Sequence, residues 1–354
     1  MPADGPSEVW SEGGRTEIGI VGAGVMGAEI ALIAAQSGFR VVIHDVDAAA
    51  VDRGLAHARA VGRRQEAKGR ITADDLTAAL ARIIPASDDD DLAGCAIVIE
   101  AVTESMEVKR ALFERLDAAL PRKALIASNT SGLSITALAA ATGRPERVLG
   151  LHFFNPPTVM RLVEVVRGER TSPETADAGI ALARAMGKTP VVVAECPGFL
   201  VNRVLVRAMV AAYRHATARG SDPGAVDAAV VEAGPAPMGP FALGDLIGLD
   251  TLASIAGDLR SAYGERFWDG GALAPHVAAG RLGRKSGGGF LAAGSTPGAV
   301  DDPAREAARA YYSEAVDEAR RCLAEGVAEP DDIDVALRLG AGWSEGPLAW
   351  EGHA

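Results

Sequence analysis

The sequence predicts an α/β protein. A doubly wound sheet carrying a helical insertion comes first, followed by an all-α domain and a partial repeat of that α domain. Three observations carry this. A glycine-rich turn joins an apolar strand to an apolar helix near the start of the chain. Short β-branched runs then alternate with stretches of helical periodicity. Beyond Cys196-Pro197-Gly198 the pattern turns helical, with no sustained strand alternation. The chain has 354 residues and 48% hydrophobic content, enough for two domains or more. The expected division is a disordered tail over 1–14, a dinucleotide-binding domain over 15–195, a helical domain over 196–295 and its partial repeat over 300–354.

The tail MPADGPSEVWSEGG is polar and acidic, with neither the basic flank nor the apolar core of a signal peptide. The first strand holds Ile18, Ile20 and Val21, and Gly22, Gly24 and Gly27 complete the spacing GxGxxG. Val25, Met26, Ile30, Ile33 and Ala34 follow at helical spacing, and Gly38 stands where a helix C-terminal cap belongs. In this arrangement Gly22 permits the tight turn, Gly24 lets the backbone approach a pyrophosphate, and Gly27 lets helix and strand pack closely. The helix N-terminus, opening with Val25 and Met26, offers partial positive charge to the phosphates. A second strand, Arg40 to His44, runs into Asp45, about 20 residues on, where a carboxylate accepts the ribose hydroxyls of NAD and repels the 2′-phosphate of NADP. Arg40 is the nearby cation that could instead meet such a phosphate.

From about Val51 to Ile84 the chain reads as helical. Arg63, Arg64, Lys68 and Arg70 lie inside that stretch, either as a solvated basic face or as an anion site for the phosphates of a large substrate. After an acidic loop, Asp88 to Asp91, the strand Ala96 to Glu100 ends in small and polar residues. Ligands of doubly wound sheets bind at strand carboxyl ends, which places Glu104 and Lys109 near the cofactor rim. The next strand, Ala124 to Ala127, ends in Ser128-Asn129-Thr130-Ser131. That cluster is either the N-cap of a helix before Ile135 and Leu138 or a set of substrate-facing hydroxyls.

The segment GLHFFNPPTVMRLVEVV, Gly150 to Val166, carries the chemistry. His152 closes one apolar run, Glu164 lies inside a second, and a rigid Asn155-Pro156-Pro157 turn separates them. If the runs are neighbouring strands, carboxylate and imidazole meet. A buried His–Glu pair is a proton-transfer device in which the carboxylate fixes the ring tautomer.

Composition narrows the partners. A net charge of −12 excludes nucleic acid as the main partner, since phosphate-backbone binding needs a basic surface. No apolar run reaches the roughly 18 residues of a membrane span. Cys95, Cys196 and Cys322 are too widely spaced for a disulfide framework or metal cluster, so no metal is expected and a reducing cytoplasm is the expected compartment.

Together GAGVMG, EAVTES with Lys109, SNTS, HFFNPP, LVEVV, PGFLVNR and MGPFALGDLIGLD resemble the (S)-3-hydroxyacyl-CoA dehydrogenase family in order and approximate spacing, over Glu17 to Leu291. The resemblance implies a Rossmann-type domain with NAD, an acyl-CoA thioester substrate, and a place in fatty acid metabolism (β-oxidation). It implies His152 as general base and Glu164 as its orienter. Ser131 and Asn202 would hold the substrate's 3-oxygen and thioester region, and Asn155 would help fix the geometry. Glu104 and Lys109 would line an NAD site that also takes in Gly22, Gly24, Val25, Met26, Gly27, Asp45 and Asn129. Lys68 is implied for the CoA phosphates. The implied helical domain closes over the substrate and commonly forms a homodimer. The closing motif GRLGRKSGGGFL departs from the family, with Leu291 and Ala292 where an aromatic is usual, which puts local packing in question. A carrier-protein thioester or free hydroxy acid is the alternative substrate, and a non-catalytic dinucleotide-binding structural protein is the alternative class.

Of the second half, Phe199 to Ala218 reads as one long amphipathic helix with Asn202 in its first turn, and Asp222-Pro223 begins another. Met238-Gly239-Pro240-Phe241 is a turn before the helical ALGDLIGLDTLASIAGDL. About 60 residues then remain. Val226 to Leu243 aligns without gaps to Ile333 to Trp350, pairing Asp227 with Asp334 and Gly239-Pro240 with Gly346-Pro347. Pro303 to Leu323 echoes Phe199 to Ala218 without an Asn202 equivalent. The readings are a partial, non-catalytic repeat that alters the dimer contact, or a tail helix that covers apolar surface.

Overall fold

The structure, a computed structural model, describes residues 16–292 and 298–350. The expected disordered tail over 1–14 lies outside them. The chain divides into two compact units, 1–195 and 196–354.

The first unit is an eight-stranded sheet flanked by helices. Strand β1 (Glu17–Val21) leads through the glycine turn into α1 (Val25–Gln36), and β2 (Arg40–His44) follows. Gly38, at φ +94°, reverses the chain between them. The stretch read as helical from Val51 to Ile84 is two helices and a strand: α2 (Ala48–Ala67), α3 (Ala73–Leu80) and β3 (Ile83–Pro85). Gly69 at φ +67° ends the first, and the Thr72 hydroxyl caps the second by accepting from the Asp75 N–H at 3.1 Å. Ile83 and Ile84 then join the sheet edge, where Pro85 lacks an N–H without cost.

Strand β4 (Ile97–Glu100), α4 (Met106–Ala119), β5 (Leu125–Ser128), α5 (Ile135–Ala139) and β6 (Val148–Phe153) continue the parallel sheet. Strand β7 (Leu162–Arg167) turns back antiparallel to β6, and after α6 (Pro173–Ala185) β8 (Thr189–Ala194) runs parallel to β7. The order β3-β2-β1-β4-β5-β6-β7-β8 places the change of winding direction between β1 and β4. Doubly wound sheets bind ligands at the strand carboxyl ends there. β-branched strand residues such as Ile18, Ile20, Val41, Ile43, Ile97 and Ile99 are buried, as a sheet covered on both faces requires.

The second unit is helical: α7 (Val201–Arg219), α8 (Pro223–Ala233), α9 (Pro240–Ile247), α10 (Leu249–Tyr263), α11 (Ala274–Ala278), α12 (Asp302–Ala324) and α13 (Pro330–Gly340). The segment ALGDLIGLDTLASIAGDL is not one helix, because Gly248 at φ +104° separates α9 from α10. The Asp227 carboxylate clasps the next turn, accepting from the Phe241 and Ala242 N–H groups at 2.8 Å each. Asp334 clasps Leu348 and Ala349 in the same way at 2.8 and 3.0 Å. A Cβ on Gly239 would lie 2.3 Å from the Asp227 Cα, and one on Gly346 would lie 2.2 Å from the Asp334 Cβ. Both clasps therefore need the glycine before their proline.

Helix α12 packs along α7, and the pair is cross-braced by charge. Arg203, fully buried, donates to Glu318 at 2.7 Å and to both oxygens of Glu325 at 2.6 and 2.9 Å. Where the closing motif lacks its aromatic, the Phe290 and Leu291 N–H groups donate to Asp245 at 2.8 and 2.9 Å, and the Phe290 ring packs on Tyr213 and Phe241. The missing aromatic thus leaves an ordered turn.

Candidate active site

Strands β6 and β7 put His152 directly opposite Glu164. Period-two alternation sends both side chains to one face. The Nδ1 of His152 lies 2.6 Å from Glu164 Oε2. Both residues are buried, Glu164 completely. An ionised carboxylate only accepts, so it assigns the ring proton to Nδ1 and leaves Nε2 as the basic nitrogen of the neutral imidazole. The Phe154 ring packs against the imidazole at 4.5 Å between centroids.

The residues around this pair are held from neighbouring strand ends. Asn129, just past β5, accepts the Phe153 N–H through Oδ1 at 2.9 Å, tying β5 to the residue after His152. Glu104 accepts from Ser131 at the backbone N–H (2.9 Å) and hydroxyl (3.1 Å), and from the Thr130 hydroxyl at 2.6 Å. Burial acts to raise the Glu104 pKa. The Lys109 ammonium, followed by the Thr130 and Ser131 hydrogen bonds, outweighs it and holds the carboxyl below its usual range. Ser131 does not cap the following helix. Ser134 does, accepting from the Ala137 N–H at 3.0 Å, because it is the residue directly before α5.

Lys109 is more enclosed than a place at the cofactor rim suggests. It is buried, with its ammonium 2.5 Å from Glu100 Oε1 and 3.2 Å from Glu104 Oε2. Glu100, fully buried at the end of β4, also accepts from the Ser128 hydroxyl at 2.6 Å and the Val102 N–H at 2.7 Å. A buried carboxylate needs such partners, and Lys109 is spent on them. Asn155, joined to Pro156 by a cis peptide, is exposed. Asn202 lies in the first turn of α7, in the second unit. Lys68 ends α2 and is exposed, as are Arg63, Arg64 and Arg70.

The loop after His152 has two anchors that the sequence reading missed. Glu29, buried on α1, accepts from the Thr158 hydroxyl at 2.6 Å, and its other oxygen lies 3.0 Å from His57 Nε2. Lys188 donates to the carbonyls of Pro157 and Met160. The signal for the first was a lone glutamate inside the apolar helix VMGAEIALIAAQ.

Beyond β1 and β2 lies a cleft of about 340 Å³, lined by Gly22, Gly24, Asp45, Val46, Val102 and Arg115 among others. Gly22 has φ +101°, and a Cβ there would lie 2.5 Å from the Ala101 carbonyl oxygen. A Cβ on Gly27 would lie 1.8 Å from the Gly22 oxygen, whereas one on Gly24 would meet nothing within 4 Å. Gly22 and Gly27 are therefore needed by the protein's own packing, and Gly24 keeps open the space over the N-terminus of α1. Asp45 accepts from the Ala23 N–H at 2.8 Å and the Asp47 N–H at 3.0 Å, fixed at the rim. Val46, which lines the cleft, is 85% exposed, as an apolar wall of a binding cleft can be, and Val25 at the N-terminus of α1 is 54% exposed. Met26 is half-buried. This set fits a dinucleotide with an unphosphorylated ribose. Arg40 is paired with Glu17 at 2.5 Å, at the opposite end of β2 from Asp45, and so cannot serve a 2′-phosphate. Among the described residues there is no metal-binding cluster, and no helix is long and apolar enough to cross a membrane.

Comparison with known proteins points to one family. The model of the 3-hydroxyacyl-CoA dehydrogenase NAD binding domain matches residues 17–196. The model of the 3-hydroxyacyl-CoA dehydrogenase C-terminal domain matches 198–293 and also 308–352. The chain is 41% identical over 276 residues to a probable 3-hydroxybutyryl-CoA dehydrogenase of Deinococcus radiodurans, covering 77% of this chain and 99% of that one. It is 36% identical over 352 residues to a fatty acid oxidation complex subunit alpha of Psychrobacter cryohalolentis, 92% of this chain and 49% of the relative. The crystal structure of 3-hydroxybutyryl-CoA dehydrogenase from Escherichia coli K12 superposes with a TM-score of 0.89 at 31% identity, covering 96% of this chain and 91% of that one.

Proposed function

The chain belongs to the 3-hydroxyacyl-CoA dehydrogenase family and is an NAD-dependent enzyme of that class; from that premise we propose that it interconverts (S)-3-hydroxyacyl-CoA and 3-oxoacyl-CoA reversibly, with His152 and Glu164 as the proton-transfer pair. The observation that carries this reading is the in-register pair with Nδ1 2.6 Å from a fully buried carboxylate. When bound, NAD supplies the acceptor for the hydride that leaves C3. His152 Nε2 takes the proton of the 3-hydroxyl, and Glu164 stabilises the imidazolium that results. In the reverse direction His152⁺ returns the proton to the forming alkoxide. Glu104 orients the Ser131 hydroxyl through its 3.1 Å contact. Ser131 and Asn202 keep the substrate roles, and Asn155 the geometry-fixing role, that the family resemblance implies, and Lys68 keeps that of a CoA-phosphate contact. Gly22, Gly24, Val25, Met26, Gly27, Asp45 and Asn129 belong to the NAD site, and Lys109 acts on it through Glu104.

The test follows NADH consumption with acetoacetyl-CoA. The wild type turns over, and His152→Ala loses at least about 100-fold in kcat, the scale of general acid–base help. Equal rates in the two proteins would end the mechanism. The same assay with a carrier-protein thioester and a free 3-oxo acid separates the substrate classes.

The segment 300–354 is, in this reading, a partial non-catalytic repeat of the helical domain over 196–295. The twin clasps at Asp227 and Asp334, and the second match of the C-terminal family model over 308–352, support it. The homodimer expected of the family is then altered by the segment that covers α7. A solution mass measurement before and after truncation following Ala293 tests this, and an unchanged number of protomers with unchanged stability would sink it. A cytoplasmic location completes the reading, supported by three free cysteines.

A further inference from the structure

Arg115 is the one cationic side chain lining the cleft that holds Gly22, Gly24 and Asp45, among the described residues. It projects from α4, and its guanidinium is engaged. Nε donates to Asp89 Oδ2 at 2.8 Å. Asp89 is set in place by a short 3₁₀ turn, Asp89–Leu92, whose N-cap Asp88 accepts from the Asp90 and Asp91 N–H groups at 3.0 and 3.3 Å. Its other oxygen is buried, 3.5 Å from Nε2 of the buried His44. The carboxylate is 20% exposed while Arg115 is 47% exposed, so the pair runs from the protein body out to the cleft wall. On the far side of Asp45 an adjoining cavity of about 610 Å³ is lined by Asp45, Asp52, Asp88 and Asp89 with His44.

Two electrostatic facts follow. Asp45 lines the cleft and Asp52, Asp88 and Asp89 line the adjoining cavity, and the one guanidinium lining the cleft is paired with Asp89. A 2′-phosphate is bound by guanidinium forks and repelled by carboxylates. Asp45 alone disfavours NADP by repulsion. Asp89 acts differently, by occupying the group a phosphate would use. We propose that Asp89 is a second determinant of the preference for NAD over NADP, a positioning residue that withholds Arg115 from the 2′-phosphate. This rests on the reading of the cleft as the dinucleotide site, and the experiment separates the two.

Binding of 5′-ADP and of 2′,5′-ADP is measured by calorimetry on the full chain, so the readout is independent of turnover. Wild type binds 5′-ADP more tightly than 2′,5′-ADP. Asp89→Asn improves 2′,5′-ADP binding about tenfold or more, the scale of one charge-assisted hydrogen bond, and changes 5′-ADP less than about threefold. Adding Arg115→Ala to that variant abolishes the gain. Arg115→Ala alone leaves the ratio of the two affinities near the wild-type value, and this arm stands even if the Asp89 variant does not fold. An unchanged ratio in Asp89→Asn overturns the proposal. So does a gain that survives removal of Arg115, or a selective loss of 2′,5′-ADP binding in Arg115→Ala alone. If wild type binds neither nucleotide, the cleft reading itself falls and the proposal with it. If 5′-ADP binds and the ratio does not move, the cleft reading stands and only the role of Asp89 is lost.

Discussion

The substitution Glu164→Gln isolates what the carboxylate does for His152. Glutamine keeps the size of the side chain and a carbonyl able to accept from Nδ1, but it removes the charge. Glu164 is fully buried, so an effective dielectric near 20 applies rather than that of water. Two unit charges about 4 Å apart then attract by about 4 kcal/mol. The amide dipole recovers part of that attraction, leaving a loss of roughly 2–3 kcal/mol when the ring becomes cationic, or about 30- to 150-fold in kcat. In the oxidation direction, with NAD and 3-hydroxybutyryl-CoA, the charge matters only once the proton has moved to the ring, so the KM for the hydroxyacyl thioester should stay within about threefold. Steady-state NADH kinetics with a thermal melt as control would check both. A kcat within about threefold of wild type, in a protein that melts normally, would refute the role given to Glu164.

Four further outcomes are expected. Gly22→Ala should cost at least about 2 kcal/mol in urea unfolding, because a positive φ and a backbone oxygen oppose its Cβ; Gly24→Ala should keep the wild-type melting temperature yet bind NAD at least about tenfold more weakly by calorimetry. Glu318→Ala removes a partner of fully buried Arg203 while Glu325 remains, so a loss of about 3 kcal/mol in urea unfolding is expected. Burial pushes the Lys188 ammonium down to about 8, against the pull of Glu29. Between that value and the ordinary lysine range the unfolded chain holds a proton the folded one has released, so this group's contribution makes stability rise with pH there. Lys188→Met should flatten that rise in urea titrations at pH 8 and 10; an unchanged slope would count against the burial account.

Much of this was legible because the informative residues are local. The glycine spacing, the apolar runs and the distance to Asp45 follow from backbone geometry that any neighbour must respect. The His152–Glu164 pairing was legible too, since two apolar runs around a proline turn leave few other arrangements. What escaped depended on remote partners. Ile83–Pro85 is too short to be told from the end of a helix, and only the free edge of β2 makes it a strand. Lys109 looked like a rim residue because its spacing from β4 is right, but Glu100 is buried beside it and takes the charge. Glu29 and Thr158 are 129 positions apart, a separation at which no sequence pattern reports contact. The Asp227–Asp334 echo was visible as aligned letters, whereas the double N–H clasp that gives those letters a purpose was not.

The antiparallel return of β7 ties assembly to chemistry. His152 faces Glu164 only in this register, with Leu151 opposite Val165 and Phe153 opposite Val163. A slip by one residue would carry Glu164 to the other surface of the sheet and leave its carboxylate among apolar neighbours. On the proposed role of this pair, a misassembled hairpin would be both inactive and unstable. On that role, recovery of enzyme activity during refolding cannot precede the zipping of this hairpin in its native register, so returning activity sets a latest time for that part of the sheet.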